Sequence, residues 1–209
     1  MPISTYPVRA RLALTSALLA VFVAASSAVA APSGDDTSPS VAASPAIHID
    51  NFSRVDAHLY RGAQPKGSDF ADLKALGIKT VVNLTSDDAD PTEQALTEAA
   101  GMTYVSIPMN TRVVPTEAQI AQFLSLVNAQ AGQPVYVHCV GGRHRTGVMT
   151  AMYRMTHDGW SGDQAFKEMK QFKYGADFLH PEFKEFVRSY QPGLVTEDAA
   201  VAANAGAQQ

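Results

Sequence analysis

One short segment of this 209-residue chain combines a cysteine, three glycines, two arginines and two histidines: His138-Cys139-Val140-Gly141-Gly142-Arg143-His144-Arg145-Thr146-Gly147. Glycines let backbone N–H groups turn inward around an anion. The Arg145 guanidinium can bind two oxygens of a phosphate at once. The spacing therefore predicts a phosphate-binding loop in which Cys139 attacks phosphorus. The phosphate-binding residues are expected to be Val140, Gly141, Gly142, Arg143, His144 and Arg145.

The residues on either side predict how the loop is held. Residues 134–138 read as a short buried strand, and from Thr146 an apolar stripe of Val148, Met152 and Met155 fits one helical face. The positive end of this helix favours the thiolate over the thiol, so Cys139 is expected to be nucleophilic at neutral pH. Thr146 is expected to hydrogen-bond the sulfur as a third catalytic residue. His138 is expected to orient the loop without taking part in the reaction.

The segment from His138 to Gly147 resembles the signature loop of the protein tyrosine and dual-specificity phosphatase superfamily. The resemblance extends to Leu59-Tyr60-Arg61-Gly62-Ala63-Gln64-Pro65 and to Val81-Val82-Asn83-Leu84, which are similar to segments of small atypical dual-specificity phosphatases of bacteria, plants and fungi. It covers roughly residues 50–190. It implies a cysteine-phosphatase-like domain, and no cofactor is expected.

Strand and helix patterns alternate along the rest of the chain. Residues 79–84 and 102–107 read as strands, and a helix is expected after an Asp90 cap and an N1 Pro91, with Glu93 at N3. Further helices are expected from capping boxes at Thr116 and Ser161, and over residues 180–190. This alternation predicts an α/β fold: a single domain with a central, largely parallel sheet flanked by helices. Cys139 falls at the strand ends, where such sheets bind ligands.

The N-terminus reads as an export signal. Arg9 and Arg11 precede an uncharged stretch, and Ala28-Val29-Ala30 fits a signal-peptidase site. We expect a signal peptide at 1–30, a flexible linker at 31–46, the phosphatase domain at 47–192 and a disordered tail at 193–209. The protein is then periplasmic or secreted. An uncleaved membrane anchor is the alternative, since the stretch is about long enough to span a bilayer.

Net charge, cysteine content and histidine spacing argue against three features: nucleic-acid binding, an internal disulfide and a metal site. The formal net charge is −4, and removing residues 1–30 takes away two arginines and no acidic residue, leaving −6. Such a charge argues against nucleic acid as a partner, and no stable membrane partner is expected once the signal is cleaved. A single cysteine allows no internal disulfide. The histidines show no ligand spacing with other donors, so no metal is expected.

The basic residues of the loop indicate which kind of substrate is preferred. Arg143 adds a permanent positive charge beside Arg145, and His144 adds a conditional one, which favours a multiply phosphorylated ligand. Arg143-His144-Arg145 also resembles the subgroup that cleaves inositol pyrophosphates. A solvated Arg143 on the outer face of the loop is the alternative. The expected partner is a phosphorylated protein or a small polyphosphorylated molecule.

The leaving-group acid is the missing feature. Phosphatases of this superfamily usually carry an aspartate on a mobile loop, but the corresponding stretch, residues 107–112, has Asn110 instead. Asp87 and Asp88 follow a strand end and are the better carboxylate candidates, although a solvated turn is the simpler role for each. The prediction is that no carboxylate acts as a strong acid, so substrates with good leaving groups are preferred.

Three functions fit these observations: a phosphatase with a Cys139 phosphoenzyme, a degenerate module that binds phosphorylated ligands without turnover, and a sulfur-transfer or arsenate-reducing enzyme. Thr146-Gly147 and the segment from Tyr60 to Pro65 favour the phosphatase over the third.

Overall fold

The computed structural model describes residues 46–86, 88–129 and 132–193. The expected signal peptide at 1–30 lies outside these residues, as do nearly all of the expected linker and tail. Asp87, one of the two candidate acids, also lies outside them. The described residues all belong to one compact unit.

A five-stranded sheet forms the centre of this unit. Four strands are parallel, and β1 pairs antiparallel with β2 at one edge, in the order β1-β2-β5-β3-β4. The strands are β1 (Ser53–Arg54), β2 (Leu59–Ala63), β3 (Thr80–Asn83), β4 (Thr103–Ser106) and β5 (Val135–Cys139). The predicted α/β fold with a largely parallel sheet is confirmed, and three of its parallel strands lie where the sequence placed them.

Six helices flank the sheet: α1 (Asp69–Ala75), α2 (Glu93–Ala99), α3 (Glu117–Ala129), α4 (Arg145–His157), α5 (Gly162–Gln171) and α6 (Pro181–Ser189). The predicted capping box at Thr116 is present, since the Gln119 backbone N–H donates to the Thr116 hydroxyl and the Gln119 side chain accepts from the Thr116 N–H. The same reciprocal pair of bonds joins Ser161 and Gln164 at the start of α5.

The start of α2 differs from the prediction. Asp90 does not cap the helix, which begins at Glu93 after Thr92. The Asp90 carboxylate instead accepts bonds from the Thr92 N–H and hydroxyl, at 2.8 and 2.7 Å. This local turn, made by an aspartate and the residue two positions later, delays the helix. Glu93 therefore lies in the first helical turn, where its side chain is buried.

Two apolar layers cover the faces of the sheet. Along β5, Val135 and Val137 face the layer that contains α3 to α6, whereas Tyr136 faces the smaller layer around α1. Helix α4 is more deeply buried than the predicted single stripe requires, because every residue from Thr146 to Tyr153 is buried. A helix buried all round is held rigidly by its neighbours. The residue that begins it, Arg145, is therefore fixed relative to the sheet.

Parallel pairing brings three chain segments to one edge of the sheet. Ala63 of β2 lies opposite Cys139, and Asn83 of β3 lies opposite His138. The segments that follow these strands therefore surround Cys139 at the carboxyl ends of the strands, where α/β sheets bind ligands. In the part of the chain that the structure describes, every helix is too short or too polar to cross a bilayer.

Candidate active site

Cys139 and Arg145 lie at opposite ends of one loop between β5 and α4. Cys139 is the last residue of its strand, with 4% of its surface exposed, and Arg145 is the first residue of its helix. Both line a cavity of about 390 Å³. The other residues lining it are Asp88, Thr111, Val140, Gly141, Arg143 and His144. The structure thus brings most of the predicted phosphate-binding residues together around the sulfur.

The carbonyl groups of the loop are bonded on its outer side. The Val140 carbonyl accepts a bond from the Gln64 N–H at 3.2 Å. The Gly142 carbonyl accepts from Asn51 Nδ2 at 3.0 Å and from Arg61 Nη2 at 2.9 Å. In a planar trans peptide the N–H points opposite to the C=O. The N–H groups that share these peptide planes therefore turn away from the bonded partners and toward the cavity, as an oxyanion site requires.

Gly142 is required at its position for two reasons. Its φ of +64° lies in the left-handed region that favours glycine. A Cβ at this position would lie 2.3 Å from the carbonyl carbon of Gly62 and 2.4 Å from its oxygen. The backbones of Gly142 and Gly62 are therefore too close for a side chain at position 142. Gly141 differs, since a Cβ there would meet only the flexible side chain of Arg143.

Arg61 lies fully buried beneath the loop. Besides its bond to Gly142, its guanidinium carbon lies 4.0 Å from the centroid of the Phe172 ring. Burial lowers the pKa of Arg61 to about 10, and the charges of Glu168 and Cys139 act in the opposite direction. The side chain is therefore still a cation at neutral pH. A buried cation near Cys139 stabilises negative charge on the sulfur and on a bound phosphate.

A buried carboxylate holds His138, as the sequence prediction of an orienting role requires. His138 Nε2 lies 2.6 Å from Glu93 Oε1, and both side chains are almost fully inaccessible. The other oxygen of Glu93 accepts bonds from Gln64 Nε2 and Asn83 Nδ2, at 2.8 and 2.9 Å. With amide donors on one oxygen, Glu93 acts as an acceptor, and His138 donates from Nε2. The carboxyl ends of β2, β3 and β5 are thereby tied to α2.

Asp88 makes a two-pronged ion pair with Arg145. Its oxygens lie 2.8 Å from Arg145 Nη1 and 2.6 Å from Arg145 Nη2. The bond from Arg145 keeps the pKa of Asp88 below its usual value. Burial disfavours the charged form of Arg145, but the bond from Asp88 and the charge of Cys139 outweigh it and raise the pKa of Arg145. Asp88 is thus ionised at neutral pH, which is the wrong protonation state for a general acid.

The expected bond from Thr146 to the sulfur is absent. Among the described residues, the buried Thr146 hydroxyl has no hydrogen-bond partner. Thr146 lies in the first turn of α4 and is enclosed by packed side chains. The prediction that Thr146 is a third catalytic residue therefore has no support in this geometry.

The two flanking basic residues differ from each other. Arg143 is 47% exposed, lies 4.0 Å from a carboxylate oxygen of Asp50 and lines the cavity. His144 donates from Nε2 to the Tyr174 carbonyl at 2.9 Å, and its ring lies 3.9 Å from that of His180. Burial lowers the pKa of His144. This lowered pKa favours the uncharged form of His144 at neutral pH, so the predicted conditional charge is expected only at lower pH.

The stretch where the superfamily usually carries its acid forms a turn. Asn110 uses its side-chain oxygen to accept the backbone N–H of Arg112 at 2.9 Å. Of the described residues that line the cavity, Asp88 alone has a carboxyl group. Within the same described ranges, no cluster of three or more His, Cys, Asp or Glu side chains has the arrangement of a metal site.

Comparisons with known proteins agree with the geometry. Residues 41–188 match a family model described as "DSP-PTPase phosphatase fused to NAD+ Kinase". The dual specificity protein phosphatase TpbA of Pseudomonas aeruginosa is 32% identical over 177 residues, which are 84% of this chain and 78% of that protein. The inositol diphosphatase SIW14 of Saccharomyces cerevisiae is 26% identical over 133 residues, which are 61% of this chain and 47% of that protein.

The structural comparison gives the same family. A crystal structure of a TpbA cysteine-to-serine variant in complex with phosphotyrosine has a TM-score of 0.59 and 29% identity, and the match covers 74% of this chain and 90% of that chain. The chain belongs to the DSP-PTPase family of phosphatases. It is similar to small atypical dual-specificity phosphatases, as the loop from Cys139 to Arg145 predicted, and the sulfur-transfer and arsenate alternatives receive no support.

Sequence reasoning missed the residues that hold the loop from outside. Asn51 and Arg61 both bond Gly142, and Glu93 bonds His138. Arg61 lies in the segment before Pro65 that resembles the family, and this resemblance was the one sequence signal that it belongs to the site. Glu93 carried the opposite signal, because an acid after Asp-Pro-Thr is typical of an exposed first helical turn.

Proposed function

We propose that this protein is an exported phosphatase that cleaves phosphate monoesters or phosphoanhydrides through a phosphocysteine at Cys139. The observation that carries the proposal is the cavity in which Cys139 and Arg145 meet, with the bonded loop carbonyls turned away from it. The thiolate attacks phosphorus, and the leaving oxygen departs with the electron pair of the broken P–O bond. Water then hydrolyses the S–P bond, which releases phosphate and restores the thiolate.

Turnover by the purified mature protein tests this proposal against a module that only binds phosphorylated ligands. We expect hydrolysis of an aryl phosphate such as p-nitrophenyl phosphate, and no detectable turnover by Cys139→Ser. Arg145→Lys is expected to be severely impaired, because a point charge cannot replace a planar two-pronged donor. Phosphate binding without turnover in the wild type would leave the binding module as the function.

Aryl phosphates and phosphoanhydrides are the substrates favoured by the cavity. The one described carboxylate that lines it is engaged with Arg145, so the leaving oxygen must depart without strong acid assistance. Acid assistance accounts for roughly 10²- to 10⁴-fold in rate, which alkyl phosphates need most. The phosphotyrosine complex of TpbA supports an aryl phosphate. We expect kcat/KM to fall steeply as the leaving-group pKa rises, and Asn110→Asp to flatten that dependence.

A polyphosphorylated small molecule is the second candidate substrate. Half-exposed Arg143 at the mouth of the cavity is the observation that favours it, since it can bind a second phosphate. The similarity to the inositol diphosphatase SIW14 also favours a polyphosphorylated substrate. If this candidate is right, Arg143→Ala lowers kcat/KM for an inositol pyrophosphate and leaves phosphotyrosine hydrolysis nearly unchanged. Equal losses on both substrates would exclude a separate second-phosphate contact.

Export is proposed from the sequence of residues 1–30, with a periplasmic or secreted product. Expression of the full chain followed by N-terminal sequencing tests it. Cleavage after Ala30 gives a mature protein that begins at Ala31, whereas an uncleaved anchor leaves the full-length chain in the membrane fraction.

A further inference from the structure

We propose that Asp88 is a positioning residue that turns one particular edge of the Arg145 guanidinium toward the phosphate. The inference rests on the proposed phosphatase function, because it concerns the same cavity. It starts from the two bonds of 2.8 and 2.6 Å by which the Asp88 carboxylate binds both terminal nitrogens of Arg145.

Counting the protons of Arg145 shows which edge remains available. A guanidinium carries five N–H protons in one plane. Asp88 takes one proton from Nη1 and one from Nη2, and the Met109 carbonyl takes the second Nη1 proton at 3.2 Å. The Nε proton and the outer Nη2 proton remain, and they are parallel along one edge. That edge is the pair of donors that can bind two oxygens of one phosphate.

The nucleophile lies on the same cavity as this guanidinium, since Cys139 and Arg145 both line it. The charge of the Cys139 sulfur contributes to the raised pKa of Arg145, after the opposing effect of burial and the bond from Asp88. A phosphate that receives the sulfur must lie between Cys139 and these donors. Asp88 therefore occupies one fork of the guanidinium and leaves the other edge for the substrate.

Ser86 links Asp88 to Met109 by hydrogen bonds to both residues. The Ser86 N–H lies 3.4 Å from the Asp88 carboxylate, and the Ser86 hydroxyl donates to the Met109 carbonyl at 3.0 Å. The segments that follow β3 and β4 therefore both accept hydrogen bonds from Arg145. The cost of a misplaced guanidinium is large, since a displacement of about 1 Å in a catalytic group can reduce the rate about 100-fold.

Orthophosphate binding to Cys139→Ser protein, measured by titration calorimetry, tests the proposal. Adding Asp88→Asn is expected to weaken the binding about tenfold or more, because one charged acceptor is lost and the guanidinium can rotate. Asp90→Asn is the matched control, since it removes the same charge from the same segment away from the cavity. Thermal unfolding of each variant establishes that the fold is intact. Tighter phosphate binding by Asp88→Asn would overturn the proposal, because it would make Asp88 a competitor of the substrate.

A double-mutant cycle separates positioning from other roles. Asp88→Asn should lower kcat/KM in a protein with Arg145, but should have little further effect in Arg145→Lys, which has no planar fork to orient. The loss should be the same for aryl phosphates of different leaving-group pKa. A loss that grows with leaving-group pKa would make Asp88 a general acid, and equal losses in both backgrounds would make it a structural residue. Absence of turnover in the wild type would refute the proposed function, while the binding experiment would still test the position of Arg145.

Discussion

The two sides of the phosphate loop are built differently. On the cavity side, the ion-paired side chains of Arg143 and Asp88 are partly exposed. On the protein side, Arg61, Glu93 and His138 are buried. An exposed ion pair contributes little to stability, whereas removing one partner of a buried pair costs several kcal/mol. We therefore expect changes on the cavity side to affect binding, and changes on the protein side to affect folding as well.

The largest effect is expected where the loop touches β2. Gly142→Ala places a Cβ 2.3 Å from the Gly62 carbonyl carbon, in a backbone conformation that L side chains rarely adopt. The combined clash and strain should destabilise the protein by roughly 3 kcal/mol or more, and should abolish phosphate binding. Denaturant unfolding measures the first effect and calorimetry the second.

Gly141→Ala is the matched control in the same loop. Its Cβ meets only the Arg143 side chain, which can move, so its free energy of unfolding should change by less than about 1 kcal/mol. If the two alanine variants are equally destabilised, close backbone contact with Gly62 is not what fixes the loop.

The next effect is expected at the buried carboxylate. Glu93→Gln replaces an acceptor oxygen by an N–H₂ group that must face either His138 or the two amides of Gln64 and Asn83. The resulting unmatched donor should destabilise the fold by about 2 kcal/mol and lower kcat, because His138 adjoins Cys139. Glu98→Gln, on the exposed side of the same helix, should be nearly neutral. Unchanged stability and activity in Glu93→Gln would mean that the network does not support the loop.

The sequence predicts those parts of the site whose residues lie close together along the chain. The loop from Cys139 to Arg145 is local, and its chemistry follows from residue types and spacing. The strands at 79–84, 102–107 and 134–138 have apolar patterns, and the observed strands agree within about two residues. By contrast, β2 has Tyr60, Arg61 and Gly62 at its centre, so no apolar run indicates a strand. Its parallel partner β5 lies far along the chain and becomes its neighbour only when the chain has folded.

The residues that hold the loop were missed for the same reason. Glu93 reads locally as a helix-start acid, yet its partner His138 is 45 residues away. Arg61 and Gly142 are 81 residues apart, and Asn51 and Gly142 are 91 apart. No periodicity encodes such pairs. The expected bond from Thr146 is wrong, since Thr146 is buried in the first turn of α4 and its hydroxyl has no hydrogen-bond partner among the described residues.

The smallest effect is expected at Asn51, which joins the loop to the end of α5. Its Nδ2 donates to the carbonyls of Gly142 and Phe172, and its φ is +58°. Asn51→Gly keeps this backbone conformation and removes both bonds, so it should cost about 1 kcal/mol of stability and weaken phosphate binding only slightly. Asn51→Ala adds strain and should cost more. Equal unfolding free energies for the two variants would show that the backbone conformation contributes nothing.

The phosphocysteine is the central claim, and trapping it is the most direct test. Wild-type protein is mixed with an aryl phosphate, quenched in acid during turnover and digested for mass spectrometry. We expect one phosphoryl group on the peptide containing Cys139, and none in Cys139→Ser. We also expect more of the trapped species when the leaving group is better, because hydrolysis of the S–P bond then limits the rate. Turnover by the wild type with phosphate found on another residue, or turnover retained by Cys139→Ser, would contradict it.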